Sequence, residues 1–265
     1  MRIAIGLLAV GLLLSVAARA EIRGQEISYS DGQVTMKGYL AYDDAIAGKR
    51  PGVLVVHEWW GHNDYARSRA RQLAAMGYTA LAVDMYGDGK TAAHPSEAGA
   101  FASEVRRNLP LAQARFEAAL NTLRRHPTVA ADDIAALGYC FGGSVVLEMA
   151  RLGLDLDAVV SYHGSLQLST PAEPGRIKAR VAVFTGEADP MIPPAQVEAF
   201  RSDMEKAGAR LTIVSYPGVK HSFTNPEADQ LAARFGLPLA YDRKADEDSW
   251  ARTASLLKET FSRGK

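Results

Sequence analysis

The sequence predicts an α/β domain built on a mostly parallel sheet, and three features carry that prediction. Short apolar runs of strand length alternate with stretches of helical periodicity from residue 53 onward, as successive β-α-β units do. A glycine-rich stretch, 138–143, separates one apolar run from a helix and marks a sharp strand-to-helix turn. Upstream, two strand-like runs flank Asp31-Gly32, a pair that favours tight reversal, so the sheet is expected to open with an antiparallel hairpin. With 265 residues, 48% of them apolar and 23% charged, the chain can bury one large core and is read as a single domain over 21–265.

Residues 1–20 read as a secretory signal, with Arg2 as the positive start, Ile3 to Val16 as the apolar segment and Ala18-Arg19-Ala20 as a small-x-small cleavage site. The mature chain is therefore expected to begin at Glu21 and to be periplasmic or secreted. The apolar run, about 14 residues, falls short of the roughly 20 that cross a bilayer, so no stable membrane association is expected after cleavage. The hairpin strands follow at Glu26–Ser30 and Gln33–Leu40. Beyond them, strands are expected at Val53–Val56, Thr79–Val83, Ile134–Leu137, Ala158–Tyr162, Val181–Thr185 and Leu211–Tyr216. Helices are expected at Tyr65–Met76, on either side of a break at Pro110, and at Ser144–Arg151, Pro194–Lys206 and Glu247–Phe261. In such a sheet, active sites collect at the carboxyl ends of the strands.

Gly138-Tyr139-Cys140-Phe141-Gly142 has the form Gly-x-nucleophile-x-Gly, with sulfur in place of the usual hydroxyl. Small flanking residues let the turn close and hold the central side chain above the sheet at a helix N-terminus, where partial positive charge favours thiolate. Cys140 is the only cysteine, which excludes an internal disulfide and a multi-cysteine metal site. A buried structural thiol in a glycine turn would look the same over these five residues, so context has to separate the two.

That context is order along the chain. Asp189 follows the strand ending at Thr185, and His221 follows the strand ending at Tyr216. Cys140, Asp189 and His221 thus occur in the order nucleophile, acid, base that characterises α/β-hydrolase triads, each on a loop after a strand. The expected architecture is therefore the α/β-hydrolase fold, a mostly parallel central sheet with helices on both faces and an N-terminal antiparallel hairpin. The backbone N–H groups of Trp59 and Phe141 are the expected oxyanion donors. His57-Glu58 and His62 miss the His-Glu-x-x-His zinc spacing by one residue, so no metal is expected. Thirty basic and thirty acidic side chains leave no net charge and no sign of a nucleic-acid partner.

These segments resemble the dienelactone hydrolase family: His57-Glu58-Trp59-Trp60-Gly61, Asp84-Met85-Tyr86, the turn at Cys140, Gly186-Glu187-Ala188-Asp189-Pro190 and His221-Ser222-Phe223. The resemblance spans roughly Gln33 to the C-terminal helix. It implies that Cys140, Asp189 and His221 form the triad and that Glu58 contacts the resting thiol and assists thiolate formation. Trp60, Tyr86, Lys90 and Phe223 are the expected substrate-binding side chains, and no cofactor is expected. The chain departs from the family where two arginines would hold a substrate carboxylate, since Asp88 and Asn225 stand there. The expected substrate is a small ester or lactone, cleaved through a thioester, and neutral substrates are expected to outperform carboxylated ones unless Lys90 folds back into the pocket. A thioesterase or peptidase of the same fold, or a non-catalytic ligand-binding or thiol-sensing protein, remains open at this point.

Overall fold

A computed structural model describes residues 22–262; the signal-like segment on which the export reading rests lies outside them. The strands are β1 (Ile22–Ser30), β2 (Thr35–Asp43), β3 (Arg50–Val56), β4 (Thr79–Val83), β5 (Val129–Tyr139), β6 (Ala158–Tyr162), β7 (Arg180–Gly186) and β8 (Arg210–Tyr216). They form one sheet in the order β1-β2-β4-β3-β5-β6-β7-β8. β2 is antiparallel to both β1 and β4, and every pairing from β4 to β8 is parallel.

The near-continuous apolar strands follow from burial on both faces. Leu54, Val56, Leu81, Val83, Ala136, Val159 and Val183 point to one face, while Val53, Val55, Ala80, Ala82, Leu137, Val160 and Phe184 point to the other. α2 (Pro95–Arg106), α3 (Leu109–Arg124), α4 (Phe141–Arg151) and α5 (Pro194–Lys206) cover the first face. α1 (Asp64–Ala75) and α7 (Arg243–Phe261) cover the second. The fold is thus the α/β-hydrolase architecture with its antiparallel N-terminal pair.

Two local expectations are corrected and one helix is added. Asp31-Gly32 is not a two-residue turn: Ser30 pairs with Thr35, and Asp31 Oδ1 accepts the Gln33 and Val34 N–H groups, so its side chain organises a four-residue connection. Pro110 does not interrupt a helix. It sits in the first turn of α3, where the missing N–H has no acceptor to lose, behind the Asn108 cap. A short helix, α6 (Ala228–Phe235), precedes α7 and ends at Gly236 in the left-handed region. Its eight residues were too few to establish a period against the surrounding polar chain.

Candidate active site

Cys140 stands between β5 and α4 with φ +50° and ψ −111°, a conformation that side chains other than glycine rarely hold. Its N–H donates to Tyr162 O at 2.9 Å and to His163 Nδ1 at 3.1 Å, which ties the turn to the end of β6. The neighbouring glycines are required by distance. A Cβ at Gly138 would lie 2.1 Å from Gly142 O, one at Gly142 would lie 2.3 Å from Val56 O, and one at Gly143 would lie 2.6 Å from Ser161 Oγ. The backbone is therefore packed against itself around a half-buried thiol at the start of α4.

The loops after β7 and β8 bring the second and third residues together. A Cβ on Gly186 would meet Val219 O at 2.2 Å, so this close approach depends on glycine, and Ala188 N–H bonds to the same carbonyl. Asp189 Oδ2 lies 2.6 Å from His221 Nδ1, and both side chains are buried. Asp189 Oδ1 accepts from Met191 N–H, which fixes the carboxylate. His221 Nε2 is buried, with no nitrogen or oxygen partner, and the Cys140 side chain is its neighbour.

Burial disfavours a charged His221, but charge and hydrogen-bond interactions with the Cys140 side chain and the Asp189 carboxylate outweigh it and push the imidazole up to about 10. A folded value above the usual His range means that protonation of His221 stabilises the fold fully below about pH 6.5 and that this contribution fades as pH rises toward 10. By NMR, the His221 ring is expected to titrate far above pH 6.5 and to move back down in Cys140→Ala. A wild-type midpoint near 6.5 would show that no thiolate–imidazolium pair forms.

Glu58, at the carboxyl end of β3, is buried with both oxygens engaged. Ser222 Oγ donates to Oε1 at 2.8 Å and Asn225 Nδ2 to Oε2 at 2.7 Å. Burial raises the Glu58 pKa against those two bonds and the charges of His221 and Arg69. No hydrogen bond joins Glu58 to Cys140, in contrast to the contact with the resting thiol that the family resemblance implies. Asn225, at one of the positions where a substrate-binding arginine was expected, is committed to Glu58 instead. The N–H groups of Trp59 and Phe141 donate to none of the described residues, while Gly142 N–H bonds to His57 O at 3.1 Å and holds the two segments together.

The expected binding side chains divide. Tyr86 is buried beside the site, donates to Trp59 O at 2.9 Å and packs 5.5 Å from the Phe141 ring. Trp60 packs edge-on against Trp59, stacks on Phe235 of α6 and lines an open groove with His62. Phe223 has no exposed surface and packs edge-on against His163 and Tyr216, so it supports the site from beneath rather than walling it. Lys90 and Asp88 are exposed, on a loop shaped by Asp84, whose two oxygens accept four backbone N–H groups.

His163 is absent from the sequence-based site. It is buried, adopts φ +41°, accepts from Cys140 N–H through Nδ1 and bonds Thr224 Oγ1 through Nε2 at 2.8 Å. Thr224 Oγ1 continues to Tyr65 OH at 2.7 Å, and Arg69 donates to Thr224 O and pairs with Asp246. Burial and the charges of His221 and Arg69 hold His163 well below the usual His range, so it stays neutral and keeps its acceptor lone pair. Its place one residue after β6, at the carboxyl edge, was the available signal. Among the described residues, no group of three or more His, Cys, Asp or Glu side chains is placed to hold a metal.

A sequence model of the dienelactone hydrolase family matches residues 36–261. A protein of Aquifex aeolicus, provisionally named carboxymethylenebutenolidase, is 25% identical over 89% of this chain and 98% of its own length. A solved structure described as a dienelactone hydrolase-like promiscuous phosphotriesterase from metagenomic libraries is 32% identical, with a TM-score of 0.84, covering 91% of this chain and 99% of that one. A solved protein of Klebsiella pneumoniae, assigned provisionally as a dienelactone hydrolase, is 27% identical with a TM-score of 0.76 and covers 89% and 98%.

Proposed function

The chain belongs to the dienelactone hydrolase family, hydrolases of esters and lactones, and from that premise we propose that it cleaves a small ester or lactone through a thioester on Cys140. The observation that carries this reading is the buried His221, anchored through Nδ1 by Asp189 and interacting with the side chain of Cys140, whose turn is strained.

In the proposed cycle, Cys140 Sγ adds to the acyl carbon, and the N–H groups of Trp59 and Phe141 take the developing oxyanion. His221 Nε2 delivers its proton to the leaving alkoxide as the C–O bond breaks, leaving the thioester. His221 then removes a proton from water, the resulting hydroxide adds to the thioester carbon, and collapse expels the Cys140 thiolate and releases the acid. Asp189 keeps the His221 ring oriented throughout. Rapid mixing with a short-chain aryl ester should give a burst of phenol and an acylated Cys140 detectable by mass spectrometry. Turnover without a covalent adduct, or ligand binding without turnover, would sink the thioester reading. A neutral aryl phosphotriester belongs in the same assay, given the activity named for the similar metagenomic protein.

The dienelactone with its carboxylate is not the proposed substrate, because the two family positions for arginine carry an exposed Asp88 and an Asn225 already bonded to Glu58. The leader-like residues 1–20 support export to the periplasm or medium, which N-terminal analysis of the mature chain at Glu21 would test.

Glu58 is proposed to assist thiolate formation when substrate enters. Glu58→Gln is close to isosteric here: the amide oxygen can accept from Asn225 while the NH2 donates to Ser222 Oγ. The thermal midpoint is therefore expected to hold within a few degrees, while alkylation of Cys140 and kcat/KM fall about tenfold to a hundredfold. A drop in midpoint with unchanged thiol reactivity would make Glu58 purely structural.

A further inference from the structure

We propose that His57 is a positioning residue for the oxyanion hole, holding the Glu58–Trp59 peptide in the orientation that aims the Trp59 N–H at the reacting carbonyl. This rests on the ester-hydrolase reading above and concerns a side chain outside the triad.

His57 follows β3 and is buried. Its Nε2 accepts the Met85 N–H at 3.2 Å, and its Nδ1 lies 2.5 Å from Glu58 O. The first bond decides the second. A backbone N–H only donates, so Nε2 must keep its lone pair, and the neutral ring then carries its proton on Nδ1 and donates it to Glu58 O. Burial lowers the His57 pKa, against the Glu58 carbonyl and the Asp84 charge that raise it, so the ring stays neutral and this tautomer persists.

The Glu58–Trp59 peptide is trans, so its C=O and N–H point in opposite directions. Glu58 O is turned onto His57 and onto the Gly61 N–H at 3.2 Å, so the Trp59 N–H faces away from both, and no described residue accepts it. A flipped peptide would aim the carbonyl there instead and set a lone pair against the developing oxyanion. The Gly61 bond is the longer of the two, so the firmer hold is that of His57.

The same residue reaches the second donor. Its ring stacks on Phe141, with centroids 5.6 Å apart, and meets Tyr86 edge-on at 4.7 Å, while Tyr86 OH donates to Trp59 O at 2.9 Å. Its own carbonyl accepts the Gly142 N–H at 3.1 Å. Through ring and carbonyl, His57 thus touches both segments that carry the oxyanion donors. A histidine that only filled space would need no proton on a particular nitrogen.

The test compares phenyl acetate, which acylates Cys140 through an oxyanion, with iodoacetamide, which alkylates the thiol by displacement and forms none. In His57→Leu, acylation is expected to fall about tenfold to a hundredfold, less than for outright removal of a donor because Gly61 still holds Glu58 O. Alkylation should stay within about twofold. An aryl trifluoromethyl ketone, which gives an oxyanion adduct on Cys140 without turnover, should bind His57→Leu more weakly by a factor similar to the loss in acylation. His57→Asn puts an amide N–H where Nδ1 stood, although it gives up the acceptor for Met85, and should recover acylation to within about threefold of wild type. In wild type, nitrogen NMR should show a neutral His57 with its proton on Nδ1, a measurement that requires no variant to fold. Acylation and alkylation falling together, an asparagine variant as slow as the leucine one, or a proton on Nε2 overturns the positioning role and leaves ester hydrolysis standing. A wild type that forms neither an acyl-enzyme nor a ketone adduct overturns the ester reading and the role of His57 together.

Discussion

Cys140→Ala is expected to lower kcat/KM for a short-chain aryl ester by about 10⁴-fold or more, the scale seen when the attacking group of a covalent mechanism is removed. Stability should change by only about 1 kcal/mol, because a half-buried thiol contributes few contacts. Alanine also keeps a Cβ at φ +50°, so the strain of the turn remains. Cys140→Gly should relieve it and be more stable than the alanine variant by about 1 kcal/mol, though equally inactive. Cys140→Ser should retain little activity: the charge that His221 answers is that of a thiolate, and the site gives a hydroxyl no comparable reason to ionise. Full activity in the alanine variant would refute covalent catalysis by Cys140, and a stability gain confined to glycine would still report the strained backbone.

Gly142→Ala is expected to damage both fold and activity. The added methyl would stand 2.3 Å from Val56 O and 2.7 Å from His57 O, both backbone atoms that cannot swing aside as a side chain can. Either β3 or the start of α4 must shift, at a cost of about 3 kcal/mol, or roughly 6–12 °C in thermal midpoint for a domain of this size. The shift would also break the Gly142 N–H bond to His57 O and separate the Phe141 and Trp59 N–H groups, so kcat should fall even in the folded fraction. Gly99→Ala is the matching control. Nothing lies within 4 Å of a Cβ there, and alanine in the middle of α2 should raise stability by up to about 1 kcal/mol. If Gly142→Ala behaved like Gly99→Ala, the close approach of α4 to β3 would not be what positions the oxyanion donors.

The alternation of apolar runs and helical periods was enough to determine the parallel sheet, because strands such as 53–56 and 79–83 are buried on both faces and read as unbroken apolar segments. The turn at Cys140 was legible for a related reason: a self-packed backbone tolerates only glycine at 138, 142 and 143, and that requirement is written in consecutive residues. Asp189 and His221 were found by chain order, since each falls directly after a strand whose end faces the site. His163 stands in the same kind of place, but a lone histidine has no spacing partner, and its bonds to Cys140 N–H and Thr224 exist only once β5, β6 and the loop after β8 are side by side. The partners of Glu58 were hidden likewise, because Ser222 and Asn225 lie more than 160 positions away along the chain. The Arg106 guanidinium, arriving from the last turn of α2 beside Phe141, likewise has no signature until the helices pack. Local sequence determines which backbone shapes are possible, and only the tertiary fold decides which distant side chains share a cavity.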